Sequence, residues 1–156
     1  MPPQQGNTKK SGPVYFWKPE KGHGYLGQWY WSPWTCNGES YNSAEMWMMV
    51  GKARIFSDED TAQEILATSE PRKQRALGRT VKGFEEKVWD AHKLRIVEEG
   101  NYHKFTISED AENLRALLLA TGDRELVEAS AMDRVWGIGF SESNAEQNRG
   151  ETEGGT

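Results

Sequence analysis

The sequence predicts a single α+β domain, helix-rich and compact, with a few short strands. Three observations carry that expectation. The first third of the chain is aromatic and broken by turn residues, five helix signatures then follow in series, and strand-like runs return only near the end. Helices gathered around a small set of strands, without a regular strand-helix alternation, define this class. A length of 156 residues, 36% of them hydrophobic, suits one domain around one core.

Each element has its own local signal. Residues 14–42, "VYFWKPEKGHGYLGQWYWSPWTCNGESYN", hold β-prone runs separated by Gly22, Gly24, Gly27, Pro33 and the turn pair Asn37-Gly38, a pattern of short strands and shaped loops. Asn42 or Ser43 can cap a first helix that runs to about Phe56, in which Met46, Met49, Val50 and Ala53 recur at core-facing intervals. Ser57 with Asp60 opens a second helix, and Pro71 takes the first position of a third that ends near Gly78. A longer helix, "GFEEKVWDAHKLRIVEEG", puts Phe84, Val88 and Ala91 on one stripe and stops at Gly100. Ser108 begins the fifth, "SEDAENLRALLLATG", with Leu114, Leu117 and Leu118 inward and Gly122 as its C-terminal cap. "ELVEAS" and "RVWGIGF" close the fold as strands. Trp17, Trp29 and Trp47 default to core positions.

The two ends read as tails. Residues 1–13 and 141–156 are polar and almost free of large apolar side chains, too poor to offset the entropy of ordering them, so the domain is expected over 14–140. The net charge is −5; the first tail carries +2 and the second −3, which leaves −4 on the body. An acidic body argues against a module that grips long duplex DNA by phosphate neutralisation. One cysteine, Cys36, cannot form an internal disulfide, and no apolar run is long enough for a membrane span or a signal segment, so a cytoplasmic or nuclear location is expected. His23, His92 and His103 lack metal-ligand spacing, so no metal site is expected.

The stretch "YNSAEMWMMVGKARIF" raises the chemical question. Seven residues at about 100° each bring Lys52 nearly back over Glu45, roughly 10 Å further along the helix, so both can border one cleft. From spacing alone, the favoured reading of Glu45 is the partner of Asn42 in a capping box, and Lys52 defaults to a solvated lysine. Arg72, Lys73 and Arg75 form a short basic cluster that defaults to a solvated face and could also receive phosphate.

The ordered set "YWSPW", "SAEMWMMVGKA", "ALGRT", "VWDAHKLRI", "LRALLLATG", "LVEAS" and "DRVWGIG" resembles the NADAR family over nearly all of residues 14–140. The resemblance implies a compact, helix-rich α+β domain with N-glycosidase activity, either on phosphoribosylamino-pyrimidine intermediates of riboflavin synthesis or on ADP-ribosylated guanine bases. By position it implies Glu45 and Lys52 as catalytic residues together with Asp133. It also implies Ser32, Trp89, Trp136, Gly137 and Gly139 as substrate-binding residues. The chain has Ser32-Pro33-Trp34 where many relatives have Ser-Asn-Phe, and Met46 to Met49 where they have His-Tyr-Phe-Gln; both bear on substrate preference.

The expectation is therefore a hydrolase of N-glycosyl bonds that uses no metal and no cofactor, removing ADP-ribose from a guanine base. Its partners would be ADP-ribose or a ribosyl-nucleobase substrate, including ADP-ribosylated nucleic acid, and it would act as a monomer without a membrane. The alternatives are the riboflavin-pathway substrate and a non-catalytic module that binds ADP-ribose or a nucleotide. Breaking a ribosyl C–N bond builds positive charge on the sugar, and a base nitrogen leaves poorly unless protonated, so paired carboxylates suit the task. Lys52 could pair with a phosphate or form a Schiff base with an opened ribose.

Overall fold

The computed structural model describes residues 12–129, which form two units. The larger, residues 28–117, is built on a hairpin and on helix α1 (Ala44–Ile55). Strands β2 (Trp34–Cys36) and β3 (Glu39–Tyr41) pair antiparallel, Trp34 opposite Tyr41, across the expected Asn37-Gly38 turn, where both residues take positive φ. Ser43 caps α1 by accepting the Met46 N–H at 3.2 Å. Asn42 is used elsewhere, donating to the Ser69 carbonyl at 3.0 Å. Glu45 therefore stands at the second helical position, out of register for a capping box with Asn42.

Helix α1 is packed by α2 (Glu59–Leu66), α3 (Pro71–Gly78) and α4 (Glu86–Thr106), so it is buried on more than one stripe. Met46, Met49, Val50 and Ala53 face the core as expected, and Ala44 and Met48 join them. Ala62, Ile65, Val81, Trp34 and Tyr41 complete the cluster. Pro71 opens α3 as predicted.

Several expectations are corrected. Ser57 does not cap α2; it takes φ +57°, and Asp58 caps instead, accepting the Thr61 N–H at 3.2 Å and its hydroxyl at 2.7 Å. The same carboxylate accepts the Lys82 N–H at 2.9 Å, tying the α3–α4 loop to the start of α2. Phe84 lies before α4, in that loop, because Gly83 turns the chain at φ +79° and Glu85 occupies the cap position. Ala91 is exposed; the buried stripe of α4 is Ile96, Gly100 and Lys104, at four-residue intervals. Gly100 does not stop the helix. It lets Trp47 cross, since a Cβ there would sit 2.9 Å from the indole Cδ1. In α5 (Ala111–Leu119), Leu114 is buried but Leu117 is exposed.

The smaller unit takes its described residues from 12–27 and 118–129. Strands β1 (Val14–Phe16) and β4 (Leu126–Glu128) pair in parallel, with Val14 opposite Leu126, so "ELVEAS" supplies a strand as expected. Arg124 donates to the carbonyls of Gly12 and Pro13 at 2.8 and 3.1 Å and fixes the entry to β1. Trp17 is not core: it is exposed, with the Lys18 ammonium 4.8 Å over its ring. "RVWGIGF" lies outside the described residues. No described helix is long and apolar enough to cross a membrane.

Candidate active site

The first turn of α1 carries Glu45, and the third carries Lys52 on the same side. Glu45 is 5% exposed, and its N–H donates to the Gln28 carbonyl at 2.9 Å, which anchors the start of the helix to the loop before β2. A carboxylate at this depth is held next to the positive end of the helix. Lys52 is half-buried between two rings, its Nζ lying 4.7 Å from the centre of Phe84 and 5.9 Å from that of Trp89. Trp89, in the first turn of α4, also packs against the core cluster.

Burial holds the Lys52 amine below the usual lysine range, and the positive charge of Arg79 acts in the same direction; the Glu45 carboxylate acts against both. Lys52 is thus electrostatically coupled to both residues. Among the sequence-predicted residues the structure brings together Glu45, Lys52 and Trp89, and it adds Phe84 and Arg79. The expectation of Phe84 as a core-stripe residue overlooked Gly83, the turn signal directly before it. Arg79 was visible within "ALGRT", but its relation to Lys52 depends on how α3 lies on α1.

Ser32 is fully buried, and its hydroxyl donates to the Tyr30 carbonyl at 3.1 Å. Asp133, Trp136, Gly137 and Gly139 lie outside the described residues. A different cavity, of about 260 Å³, opens beside Trp47, Gly51, Arg54 and Ile96. Arg54 is nine residues from Glu45, half a turn round the helix, so this cavity lies away from the Glu45 face. Its guanidinium is already taken by Glu39 and Glu59, at 2.7 and 2.8 Å.

The NADAR domain matches residues 15–155. The N-glycosidase R617 of Acanthamoeba polyphaga mimivirus is 43% identical over 112 residues, covering 70% of this chain and 64% of that protein. The N-glycosidase YbiA of Escherichia coli is 32% identical over 107 residues, 69% of this chain and 63% of YbiA. A riboflavin biosynthesis protein of Vibrio vulnificus is 28% identical across 81% of this chain, but only 33% of its own length. The chain thus spans less than two thirds of these relatives. The solution structure of Escherichia coli YbiA superposes with a TM-score of 0.70 at 26% identity, covering 92% of this chain and 88% of that one. With the domain matched along nearly the whole sequence and the fold shared with YbiA, the chain belongs to the NADAR domain family.

Proposed function

We propose that the protein is an N-glycoside hydrolase that cleaves a ribosyl C–N bond, with removal of ADP-ribose from a guanine base as the favoured reaction. The observation that carries this reading is the pairing, on one face of α1, of the buried Glu45 with an amine held between Phe84 and Trp89. The N-glycosidase names of the relatives support the reaction class.

Cleavage leaves positive charge on the sugar, and a carboxylate at the depth of Glu45 opposes it or orients the attacking water. Lys52 has the character of a nucleophile: burial and Arg79 favour its neutral form. On a ring-opened glycosylamine, its nitrogen adds to C1, the C1–base bond breaks, and the base leaves with the proton. The resulting protonated imine is hydrolysed by water, which releases the sugar aldehyde and restores the amine. Trp89 offers an indole against which the base stacks. In this reading Asp133 serves the ribose hydroxyls or relays the proton, a role resting on the sequence resemblance alone. Ser32, Trp136, Gly137 and Gly139 would line the substrate on the same ground.

The riboflavin biosynthesis protein of Vibrio vulnificus among the relatives supports a second reading, the phosphoribosylamino-pyrimidine substrate that the sequence resemblance implies. Incubating the protein with each compound and measuring free base decides between them. Release from neither refutes the hydrolase and leaves a binding module.

A further inference from the structure

Residues 71–84, "PRKQRALGRTVKGF", hold five cationic side chains and no carboxylate, in a chain whose net charge is −5. Helix α3 organises them. Its inner side, Gln74 and Gly78, is buried, and Gly78 lies so close to α1 that a Cβ there would overlap the Met49 sulfur. Arg72, Arg75 and Arg79 are spaced by three and then four residues, so they share one face, and all three are exposed. Arg75 and Arg79 lie at the C-terminal end of α3, which favours cations, but Arg72 stands in its first turn, where a cation is disfavoured, and like charges at these spacings repel.

These arginines are also distinct in their partners. Among the described residues, Arg54 and Arg95 are paired with carboxylates, and Arg115 and Arg124 donate to backbone carbonyls. Arg72, Arg75 and Arg79 have no carboxylate within ion-pair distance among the described residues, although neighbouring Lys73 takes Glu70 at 3.2 Å. Arg75 instead lies over the half-buried indole of Trp29, 5.9 Å from the ring centre. The row ends at the reaction centre, where the charge of Arg79 is felt by Lys52.

We propose that this face of α3 is a phosphate-binding track, in which Arg72, Arg75 and Arg79 hold successive phosphoryl groups of a ligand whose scissile bond lies at Lys52, with Trp29 as a stacking platform beside them. The guanidinium fork matches a phosphoryl group bidentately. Seven residues of helix span about 10 Å, enough to meet more than one phosphate. The phosphoryl groups can come from the diphosphate of a nucleotide sugar or from the backbone of a nucleic-acid strand. The inference rests on the reading of Lys52 as the reaction centre, but binding is measured separately from turnover.

The test uses the full chain carrying Glu45→Gln, which leaves ligands uncleaved, with and without Arg72→Gln/Arg75→Gln. The probes are a fluorescein-labelled single-stranded thymidine octamer and ADP-ribose, and the readouts are the dissociation constant and its dependence on salt. We expect the double substitution to weaken binding of at least one probe about tenfold or more. For the octamer it should also flatten the slope of log K against log salt by about 1.4, at roughly 0.7 for each phosphate no longer neutralised. Arg72→Lys/Arg75→Lys should keep most of the binding, and Arg95→Gln/Lys21→Gln, which removes the same charge elsewhere, should bind as the parent. Weakening of the octamer alone assigns the track to a strand, and of ADP-ribose alone to a diphosphate. A parent that binds neither probe, or a double variant that binds both as tightly, overturns the proposal. A wild-type chain that releases no base while the double variant loses phosphate binding sinks the hydrolase reading and leaves the track standing.

Discussion

Glu45→Gln separates the two carriers of the proposed chemistry, because it keeps the side chain's shape and removes only its charge. Glu45 and Lys52 are separated by about 10 Å of helix rise, and two unit charges at that distance interact by roughly 1.7 kcal/mol at an effective dielectric constant near 20. Solvent reaches Lys52 and screens the pair, so this is an upper figure. The carboxylate raises the Lys52 pKa, so its removal lowers it, and more of the amine is neutral at pH 7. If Lys52 alone carried turnover, the variant would work as well as the wild type or slightly better. We expect the opposite: a fall of about 100-fold or more, the range seen when a positioned acid or base is removed. Loss of a charge at a buried helix N-terminus costs up to about 2 kcal/mol, which a domain stability on the order of 5 to 15 kcal/mol tolerates. The assay is base release across a pH series, paired with thermal melting. Wild-type turnover by a folded Glu45→Gln protein returns this residue to a structural role.

Three further outcomes follow from the geometry. Borohydride added during turnover should trap a covalent adduct on the wild-type chain and none on Lys52→Ala, whose turnover also falls; an adduct on Lys52→Ala would refute the imine. Lys104 is fully buried between the rings of Tyr30 and Phe105, and burial lowers its pKa to about 7. A lysine whose pKa is lower in the folded chain binds fewer protons there than when unfolded, so stability should rise from about pH 7 towards 10.5; a Lys104→Met melting curve that keeps this slope would refute the assignment. Gly100→Ala pushes a methyl to 2.9 Å from the Trp47 Cδ1 and 3.3 Å from its Cγ, so it should cost about 1 to 3 kcal/mol of stability, read by chemical denaturation; an unchanged midpoint would show that the indole yields freely.

What the sequence made legible was local. The start of α3 at Pro71, the Asn37-Gly38 hairpin and the spacing that puts Glu45 and Lys52 on one face depend on neighbours a few residues away, and all are present in the structure. What stayed hidden depends on partners distant in sequence. Gly100 looks like a helix stop until Trp47 is seen crossing it, and Phe84 looks like a helical core residue until Gly83 turns the chain and sets the ring against Lys52. Arg79 was one charge among several, and it gained meaning only when α3 packed against α1. The choice between Asn42 and Ser43 as cap was likewise settled from outside α1, by the Ser69 carbonyl that takes the Asn42 amide.

Asp58 ties together segments that lie far apart in the chain. Its carboxylate accepts from the Thr61 N–H, the Thr61 hydroxyl and the Lys82 N–H, the last holding its pKa down most strongly. The first turn of α2 and the loop that carries Phe84 therefore share a polar fastener. Opening one releases the other, so the amides of Thr61 and Lys82 should exchange with solvent as one cooperative unit. The ring that lies against Lys52 is then governed by a carboxylate elsewhere in the fold, and under the proposed function the looseness of the loop beside Lys52 can be tuned at Asp58 without altering Glu45 or Lys52.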